Sequence, residues 1–330
     1  MIRKRTDKLT SSLRIQISAL PHGPGVYLFL DKSGQVLYLG KSVNLKKRVS
    51  SYFYGDLSQR ETRLQRLIYT VHELKHYSCS GELPALLLED VLIKYYNPDF
   101  NIQQNKFRRY QYLRLTDDPY PRLVSLEHPV PYAGALFGPF PDGFFVQRLE
   151  VFLGRYFGLR NCSDVHPTKG CLQADLGLCL APCIDQIGRD QYVPMIQLIG
   201  EFMQGESNNI NNKIKAQLDH ALEHEQFEIA SRCQKDLIFA GDFLQRQKFT
   251  AQFETMELRI EELAGEDILY QFKFGNLKAI NKSKTIMEGD QLLLEFSTIT
   301  DKRFLLDRAH LILAWLKRNR DTHAYHFSIK

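Results

Sequence analysis

The stretch that decides the fold is GVYLFLDKSGQVLYLGKSVNLKKRVSSYF, residues 25–53. Its segments VYLFL and VLYLG are rich in β-branched, aromatic and aliphatic residues, and DKSG between them supplies turn residues, which predicts a β-hairpin. A four-residue loop over 31–34 would place Tyr27 directly opposite Tyr38 on one face of the ribbon. A helix is predicted next, with Ser42 as its N-cap.

This predicted helix carries two neighbouring stripes of side chains, each with a spacing of four residues. The buried stripe is predicted to be Leu45, Val49 and Phe53, and the second stripe to be Asn44, Arg48 and Tyr52. Hairpin and helix together would gather three phenols, the Lys41 ammonium and one guanidinium. Such a set is either an ordinary strand face with solvated cations or a functional site.

A second candidate is a glutamate inside an apolar segment, ELPALLLEDVLIKYYNPDFNI at residues 82–102. Glu89 has alanine, leucine, valine and isoleucine around it, so its helix is predicted to be largely buried. A carboxylate in apolar surroundings is costly unless a cation or a metal ion compensates it. We therefore favour a functional Glu89 over a merely salt-bridged one, and we expect the adjacent Asp90 to face solvent.

Composition and charge limit the class of protein. The chain has 330 residues, of which 44% are hydrophobic and 25% charged, and no apolar run approaches the ~18 residues that span a bilayer. We expect a cytoplasmic protein with no membrane partner. The formal net charge is +5, and the first fifty residues hold ten Lys or Arg against two Asp, which is typical of a solvated surface or of a polyanionic partner such as nucleic acid.

Five parts are expected along the chain. They are a basic N-terminal extension at 1–19, a strand–helix domain at 20–105, a Cys-rich connector at 106–190, a helical segment at 191–255 and a small α+β segment at 256–330. In the last part, ILYQFKFG (268–275) and QLLLEFSTI (291–299) are predicted as strands and RFLLDRAHLILAWLKR (303–318) as a helix. The Asn-rich ESNNINNK (206–213) is predicted to connect two helices.

Four of the six cysteines lie together in the connector, at Cys162, Cys171, Cys179 and Cys183. Disulfides are not expected in a reducing compartment. Four thiolates suit zinc or an iron–sulfur cluster, and unligated structural thiols are the third reading. Structural zinc sites usually contain closely spaced cysteine pairs, and only the last two of these cysteines come near that spacing.

The sequence resembles the GIY-YIG nucleases. GVY at 25–27 and YLG at 38–40 each differ from a half of that motif by one aliphatic exchange, and the remaining matches follow in order at Lys41, Arg48, Tyr52, Glu89 and Asn101. Over roughly residues 20–250 the chain is most similar to the N-terminal half of UvrC, the incision subunit of bacterial nucleotide excision repair. LFGPFPD (136–142), the cysteine cluster and a helical UVR-like segment follow in UvrC order.

The resemblance implies an α+β fold, in which a GIY-YIG domain with a small antiparallel sheet flanked by helices precedes the Cys-rich connector and a helical UVR-like hairpin. It also implies a DNA endonuclease in which Glu89 holds one Mg²⁺ or Mn²⁺ ion and Tyr38 takes a proton from the attacking water. Arg48 would hold the phosphate, with Lys41 adding positive charge. Tyr27 and Tyr52 would position water and substrate, and Asn101 would orient the site.

For cofactor and partners, the resemblance implies a 4Fe–4S cluster on the four cysteines, with zinc as the alternative, and double-stranded, damaged DNA as the substrate. The UVR-like segment IKAQLDHALEHEQFEIASRCQKDLI (214–238) implies a UvrB-like partner, although the family's Arg-Asp pair is Gln234-Lys235 here. This segment is predicted to form a helical hairpin with paired apolar faces, made by Leu218, Ala221, Leu222, Phe227 and Ala230.

After residue 255 the sequence departs from UvrC, because neither an acidic array suited to a second nuclease nor paired hairpin glycines are found. The chain is in this respect similar to the shorter homologue Cho, and we expect a single incision, the 3′ one. The alternative is a catalytically weak adaptor that binds DNA and UvrB.

Overall fold

The structure, a computed structural model, divides into two compact units, Met1–Phe107 with Phe253–Lys330 and Arg108–Gln252. It describes residues 10–54, 60–101, 110–129, 134–163, 170–184, 186–206, 209–262, 268–273, 275–282, 286–296, 301–319 and 325–329. Residues 1–9 of the expected N-terminal extension lie outside this part. The five-part division of the sequence stays a prediction.

Within the described residues, helices and strands alternate in the first unit, and helices dominate the second. The helices are α1 Ser11–Ser18, α2 Leu45–Phe53, α3 Thr62–Thr70, α4 Glu82–Tyr96, α5 Gly143–Phe157, α6 Leu172–Asp175, α7 Arg189–Gln204, α8 Asn209–Glu223, α9 Phe227–Phe253, α10 Glu288–Glu295 and α11 Lys302–Asn319. The strands are β1 Gly25–Leu30, β2 Val36–Ser42, β3 Glu73–Ser78, β4 Gln111–Leu115, β5 Leu123–Leu126, β6 Leu136–Phe140, β7 Glu257–Glu262, β8 Ile268–Lys273, β9 Asn276–Lys282 and β10 Tyr325–Ile329. No helix in this part of the chain is long and apolar enough to cross a membrane.

The hairpin of β1 and β2 is confirmed, but its register differs from the prediction. Tyr27 pairs with Gly40, and Phe29 with Tyr38. At the turn the Asp31 N–H donates to the Gln35 carbonyl at 3.0 Å and the Asp31 carboxylate accepts the Gln35 N–H at 2.9 Å. Leu30 therefore pairs with Val36 instead of Gln35, and a second one-residue shift follows between Phe29 and Leu30. The whole displacement is two residues, so Tyr27 and Tyr38 still share one face of the sheet.

Helix α2 begins later than predicted. Its N-cap is Asn44, whose side chain accepts the Lys47 N–H at 2.9 Å. Ser42 is not the cap, because it is still part of β2 and its hydroxyl bonds the Asn44 backbone. The predicted buried stripe is confirmed, since Leu45, Val49 and Phe53 all lie in the core.

Helix α4 packs on the sheet formed by β2, β1 and β3. The prediction that Asp90 faces solvent is wrong. Its carboxylate is half-buried and accepts the Lys94 ammonium at 2.7 Å, and Lys94 also lies 2.8 Å from Asp307 of α11. Burial raises the pKa of Asp90 and Lys94 opposes that rise. The sequence of α4 alone gives no sign that a helix more than two hundred residues later covers this face.

The C-terminal segment forms a sheet of order β10-β7-β8-β9, and its helices α10 and α11 pack on α4. The strand in ILYQFKFG and the final helix are confirmed. The strand predicted at QLLLEFSTI is wrong, because Gln291–Glu295 belong to α10. Leucine and glutamate are strong helix formers, and α10 buries Gly289, Asp290 and Leu293 at helical spacing.

The second unit has a sheet of order β5-β4-β6 and a core in which α5 and α7–α9 contribute most of the apolar side chains. Asn209 already begins α8, so ESNNINNK is only partly a connection, and residues 207 and 208 lie outside the described part. In the UVR-like hairpin Ala221 and Ala230 are buried and Leu218 packs on the core. The prediction is wrong for Leu222 and Phe227, which are 48% and 70% exposed.

Candidate active site

Three phenols from β1, β2 and α2 form a hydrogen-bonded cluster. The hydroxyl oxygens of Tyr27 and Tyr52 are 2.9 Å apart, and the Tyr52 hydroxyl donates to that of Tyr38 at 3.5 Å. Burial raises the pKa of Tyr27, and Tyr38 and Tyr52 raise it further. Burial and Tyr52 likewise raise the pKa of Tyr38, against a smaller lowering by Tyr27. The predicted gathering of these side chains is therefore present in the structure.

Two motif glycines are needed because neighbouring atoms leave no room for a side chain, and not because of their backbone angles. A Cβ atom on Gly40 would lie 2.5 Å from the Tyr27 hydroxyl oxygen, and one on Gly25 would lie 2.3 Å from the carbonyl oxygen of Tyr77. The first glycine lets β2 pass beneath the Tyr27 phenol. The second lets β1 pair closely with β3.

Glu89 on α4 is 8% exposed and points toward β2. Its Oε1 atom accepts the backbone N–H of Lys41 at 2.9 Å. The carboxylate also contributes to the raised pKa of Tyr38, after burial and Tyr52. Glu89 thus lies beside the phenol cluster.

The two predicted cations differ in their surroundings. Lys41 Nζ lies 3.2 Å from Glu82 Oε1 in a partly exposed ion pair. Arg48 is exposed, with its guanidinium carbon 5.2 Å from the centre of the Tyr52 ring. Electrostatic attraction from Arg48 lowers the pKa of Tyr27, which opposes the larger effect of burial.

Asn101 holds β2 in place from below the cluster. Its side-chain oxygen accepts the Leu39 N–H at 2.9 Å, and its amide donates to the Leu39 carbonyl at 2.7 Å. Since Leu39 lies between Tyr38 and Gly40, this buried pair of hydrogen bonds fixes the strand at the motif. Asn101, which is 2% exposed, therefore anchors the strand that carries Tyr38 rather than lining a surface.

A cavity of about 350 Å³ opens beside Tyr38 and Arg48. Its lining also includes Arg60, Arg63 and Phe100, which were not predicted from the sequence. The Arg63 guanidinium carbon lies 5.6 Å from the Phe100 ring centre. The sequence does show a basic segment, RETR at 60–63, after the predicted helix. Nothing in that segment indicates that its arginines lie close to the phenols.

The surroundings of Glu89 fit a hard divalent cation by their chemistry. A carboxylate is a preferred ligand of Mg²⁺, which is often held by one or two carboxylates while water or phosphate completes its shell. Within the described residues, no group of three or more His, Cys, Asp or Glu side chains is placed to hold a metal ion. Glu89 has the ligand chemistry that such a cation requires.

The four connector cysteines are neighbours in the second unit. Burial raises the pKa of Cys179, and Cys162 and Cys171 add to that rise electrostatically. Cys183 is hydrogen-bonded to Cys162, whose carbonyl accepts the buried Arg160 guanidinium at 2.6 Å. The donors suit a soft metal, but within the described part of the chain they are not arranged as a ligand set.

Family models match two consecutive parts of the chain. Residues 23–102 match the UvrC-like GIY-YIG domain, and residues 110–202 match the middle domain of UvrC/Cho excinucleases. The hairpin, the phenol cluster and Glu89 are thus those of a GIY-YIG domain. The two matches follow each other in the order of the family, so residues 23–202 carry two consecutive domains of the UvrC/Cho family.

Curated relatives extend the similarity to most of the chain. UvrABC system protein C of Carboxydothermus hydrogenoformans is 30% identical over 269 residues, which is 79% of this chain and 44% of that protein. The same protein of Pseudoalteromonas translucida is 31% identical over 245 residues, 73% of this chain and 40% of the relative. The chain therefore spans less than half the length of these relatives.

Among solved structures, the GIY-YIG N-terminal endonuclease domain of UvrC from Thermotoga maritima is 34% identical and covers 28% of this chain and 98% of its own, with a TM-score of 0.25. That domain is described as bound to its catalytic divalent cation, magnesium. A point variant of the same domain, 33% identical to this chain with a TM-score of 0.25, is also described as bound to its catalytic divalent cation.

The tight approach at Gly40 generates the first prediction. Gly40→Ala will displace the Tyr27 phenol and break its hydrogen bond to Tyr52, which will destabilise the first unit by about 1–3 kcal/mol and slow any cleavage by this site about tenfold to a hundredfold. Melting temperature and cleavage rate measure these effects.

Gly23→Ala is the matched control, because a Cβ atom at position 23 meets nothing within 4 Å. It is expected to leave both quantities unchanged. If Gly40→Ala had the same melting temperature and cleavage rate as Gly23→Ala, the close contact between Gly40 and the Tyr27 phenol would be contradicted.

Proposed function

We propose that this chain is a metal-dependent endodeoxyribonuclease that hydrolyses one phosphodiester of damaged DNA, as the 3′ incision of nucleotide excision repair. The observation that carries the proposal is the buried Glu89 carboxylate, held by the Lys41 backbone beside three hydrogen-bonded phenols. The two matched domains of the UvrC/Cho family support it. A glutamate with only a structural role would not need to lie beside three hydrogen-bonded phenols.

The cavity beside Tyr38 suits a DNA backbone. Its lining holds three arginines, Arg48, Arg60 and Arg63, against one acid, Glu61, so its net charge is positive. Phe100 and the phenols of Tyr38 and Tyr52 add aromatic faces. Guanidinium groups match the geometry of phosphate oxygens, and aromatic rings can stack with unpaired bases. We assign this cavity to the strand that carries the scissile phosphate.

In the proposed mechanism the Tyr38 phenolate, formed when the phenol loses its proton to solvent, accepts a proton from the attacking water, while Arg48 holds a phosphate oxygen through its guanidinium. The Tyr52 hydroxyl lies between those of Tyr27 and Tyr38, so it can fix the orientation of the accepting phenol. Lys41 adds positive charge at the end of β2. Asn101 keeps this strand in position through Leu39.

Glu89 would hold the divalent cation, Mg²⁺ or Mn²⁺. When bound, the ion supplies positive charge that polarises the phosphate, favours departure of the 3′ oxygen and favours the deprotonated phenol. That last effect matters because burial raises the pKa of Tyr38.

Cleavage of a lesion-bearing duplex, with and without Mg²⁺ and a UvrB-like protein, tests the proposal. Glu89→Gln should lose about a thousandfold or more in rate while duplex affinity is kept, because the change removes a cation ligand and no cationic side chain. The control is Glu150→Gln, which removes a half-buried carboxylate from the other unit. Metal-dependent nicking by Glu89→Gln at the control's rate would remove Glu89 from the mechanism, and a wild-type chain that never nicks would favour the adaptor.

We further propose that Cys162, Cys171, Cys179 and Cys183 bind a 4Fe–4S cluster, with zinc as the alternative. Their thiol chemistry and mutual proximity support a soft metal. Anoxically purified protein should be brown, absorb near ~400 nm and contain iron and sulfide, and Cys183→Ser should lose all three. A colourless protein with stoichiometric zinc would support the alternative, and a metal-free one would contradict both.

We also propose a UvrB-like protein as a partner of the helical hairpin. The support is the pair of exposed apolar side chains at its turn, Leu222 and Phe227, which the hairpin itself leaves uncovered. A cytoplasmic location likewise stays a proposal.

A further inference from the structure

Glu82 lies between two cations from distant parts of the chain. Its Oε1 atom is 3.2 Å from Lys41 Nζ and 3.0 Å from Arg318 Nη2. Lys41 lies in β2, Glu82 is the first residue of α4, and Arg318 lies in the last turn of α11. We call these three residues the Glu82 triad.

The triad is adjacent to the candidate active site, because the backbone N–H of Lys41 donates to Glu89. An isolated pair of Lys41 and Glu82 has no net charge, so it attracts an approaching phosphate only weakly. With Arg318 included, the three side chains carry a net charge of +1. The carboxylate then has a second cation, and separating it from Lys41 costs less.

We propose that Arg318 is a positioning residue for Lys41: by sharing the Glu82 carboxylate, it leaves the Lys41 ammonium available to a DNA phosphate. This inference rests on the proposed nuclease function and gives the C-terminal segment a part in substrate binding. Arg318 acts through Glu82 and needs no contact with DNA.

Docking of α11 on α4 does not depend on Arg318. Lys94, whose side chain is 6% exposed, pairs with Asp307 of α11, and its ammonium lies 4.9 Å from the ring centre of Phe304. Arg318 is itself 58% exposed at the side chain. Its replacement should therefore change the charge around Glu82 without releasing the helix.

The test is equilibrium binding of a fluorescein-labelled duplex to the full chain at low salt. All variants carry Glu89→Gln, so that the duplex is not cut during the measurement. Arg318→Ala should weaken binding about threefold to tenfold, the range of an exposed ion pair or one lost phosphate contact. Arg318→Lys should restore most of the affinity. The control is Arg303→Ala, which removes another exposed cation of α11, about 22 Å away along the helix, and should change binding less than about twofold.

A second background separates the proposed mechanism from direct contact. In Glu82→Gln the Arg318→Ala change should have no further effect, because the carboxylate that holds Lys41 is gone. An equal loss of affinity in both backgrounds would mean that Arg318 binds DNA itself. A fall in melting temperature that Glu82→Gln does not reverse would mean that Arg318 is structural, and either result overturns the inference.

Wild-type cleavage measured in parallel keeps the two proposals apart. A chain that binds duplex with the expected dependence on the triad but does not cut it contradicts the nuclease alone. A chain that cuts but shows no effect of Arg318→Ala, or equal effects of Arg318→Ala and Arg303→Ala, contradicts the role of Arg318 alone. Absence of duplex binding in the Glu89→Gln background overturns the inference whatever cleavage shows.

Discussion

The hydrogen bond from the Lys41 backbone to the buried Glu89 carboxylate is the contact on which the proposed function of the first unit depends. It joins α4 to the end of β2, so it sets the acid beside the motif tyrosines. Burying a carboxylate costs several kcal/mol, and one charge-assisted hydrogen bond returns only about 1.5–3 kcal/mol. A divalent cation bound to Glu89, as proposed above, would add to this stabilisation.

The helix that carries Glu89 is held from two sides. On one side it packs on the sheet. On the other, the carboxylate of Asp290 accepts the Ser80 N–H just before α4 begins, and Gly289 approaches so closely that a Cβ atom there would lie 2.7 Å from Cys79 Sγ. On α11, which also packs on α4, burial lowers the pKa of Arg308 to about 10, against the opposing effect of Asp90. The C-terminal segment is thus part of the same compact unit as the GIY-YIG domain, although its sequence offered no family to compare with.

Local sequence patterns predicted what local interactions determine. The hairpin, the stripe ending at Phe53 and the apolar character of α4 follow from periodicity and composition, and Tyr27, Tyr38 and Glu89 were found from these features. The errors all involve long-range contacts or backbone detail. A side-chain hydrogen bond to Asp31 accompanies the shift in the hairpin register. Helix α11 supplies Asp307 to the face of α4 that would expose Asp90 if α4 stood alone. The segment 291–295 forms a helix whose buried face packs on α4, where its apolar run had suggested a strand. Arg318 could not be found from sequence, because no local pattern links position 318 to position 41.

The most direct test of the central claim is divalent-cation binding itself. Titration of Mn²⁺ into the full chain, followed by electron paramagnetic resonance and by competition with Mg²⁺, reports the site without DNA and without turnover. We expect the wild-type chain to bind one Mn²⁺ ion that Mg²⁺ displaces, and Glu89→Gln to reduce the Mn²⁺ affinity about tenfold or more. Equal Mn²⁺ affinity in both proteins would contradict the claim that this buried carboxylate is compensated by a bound cation.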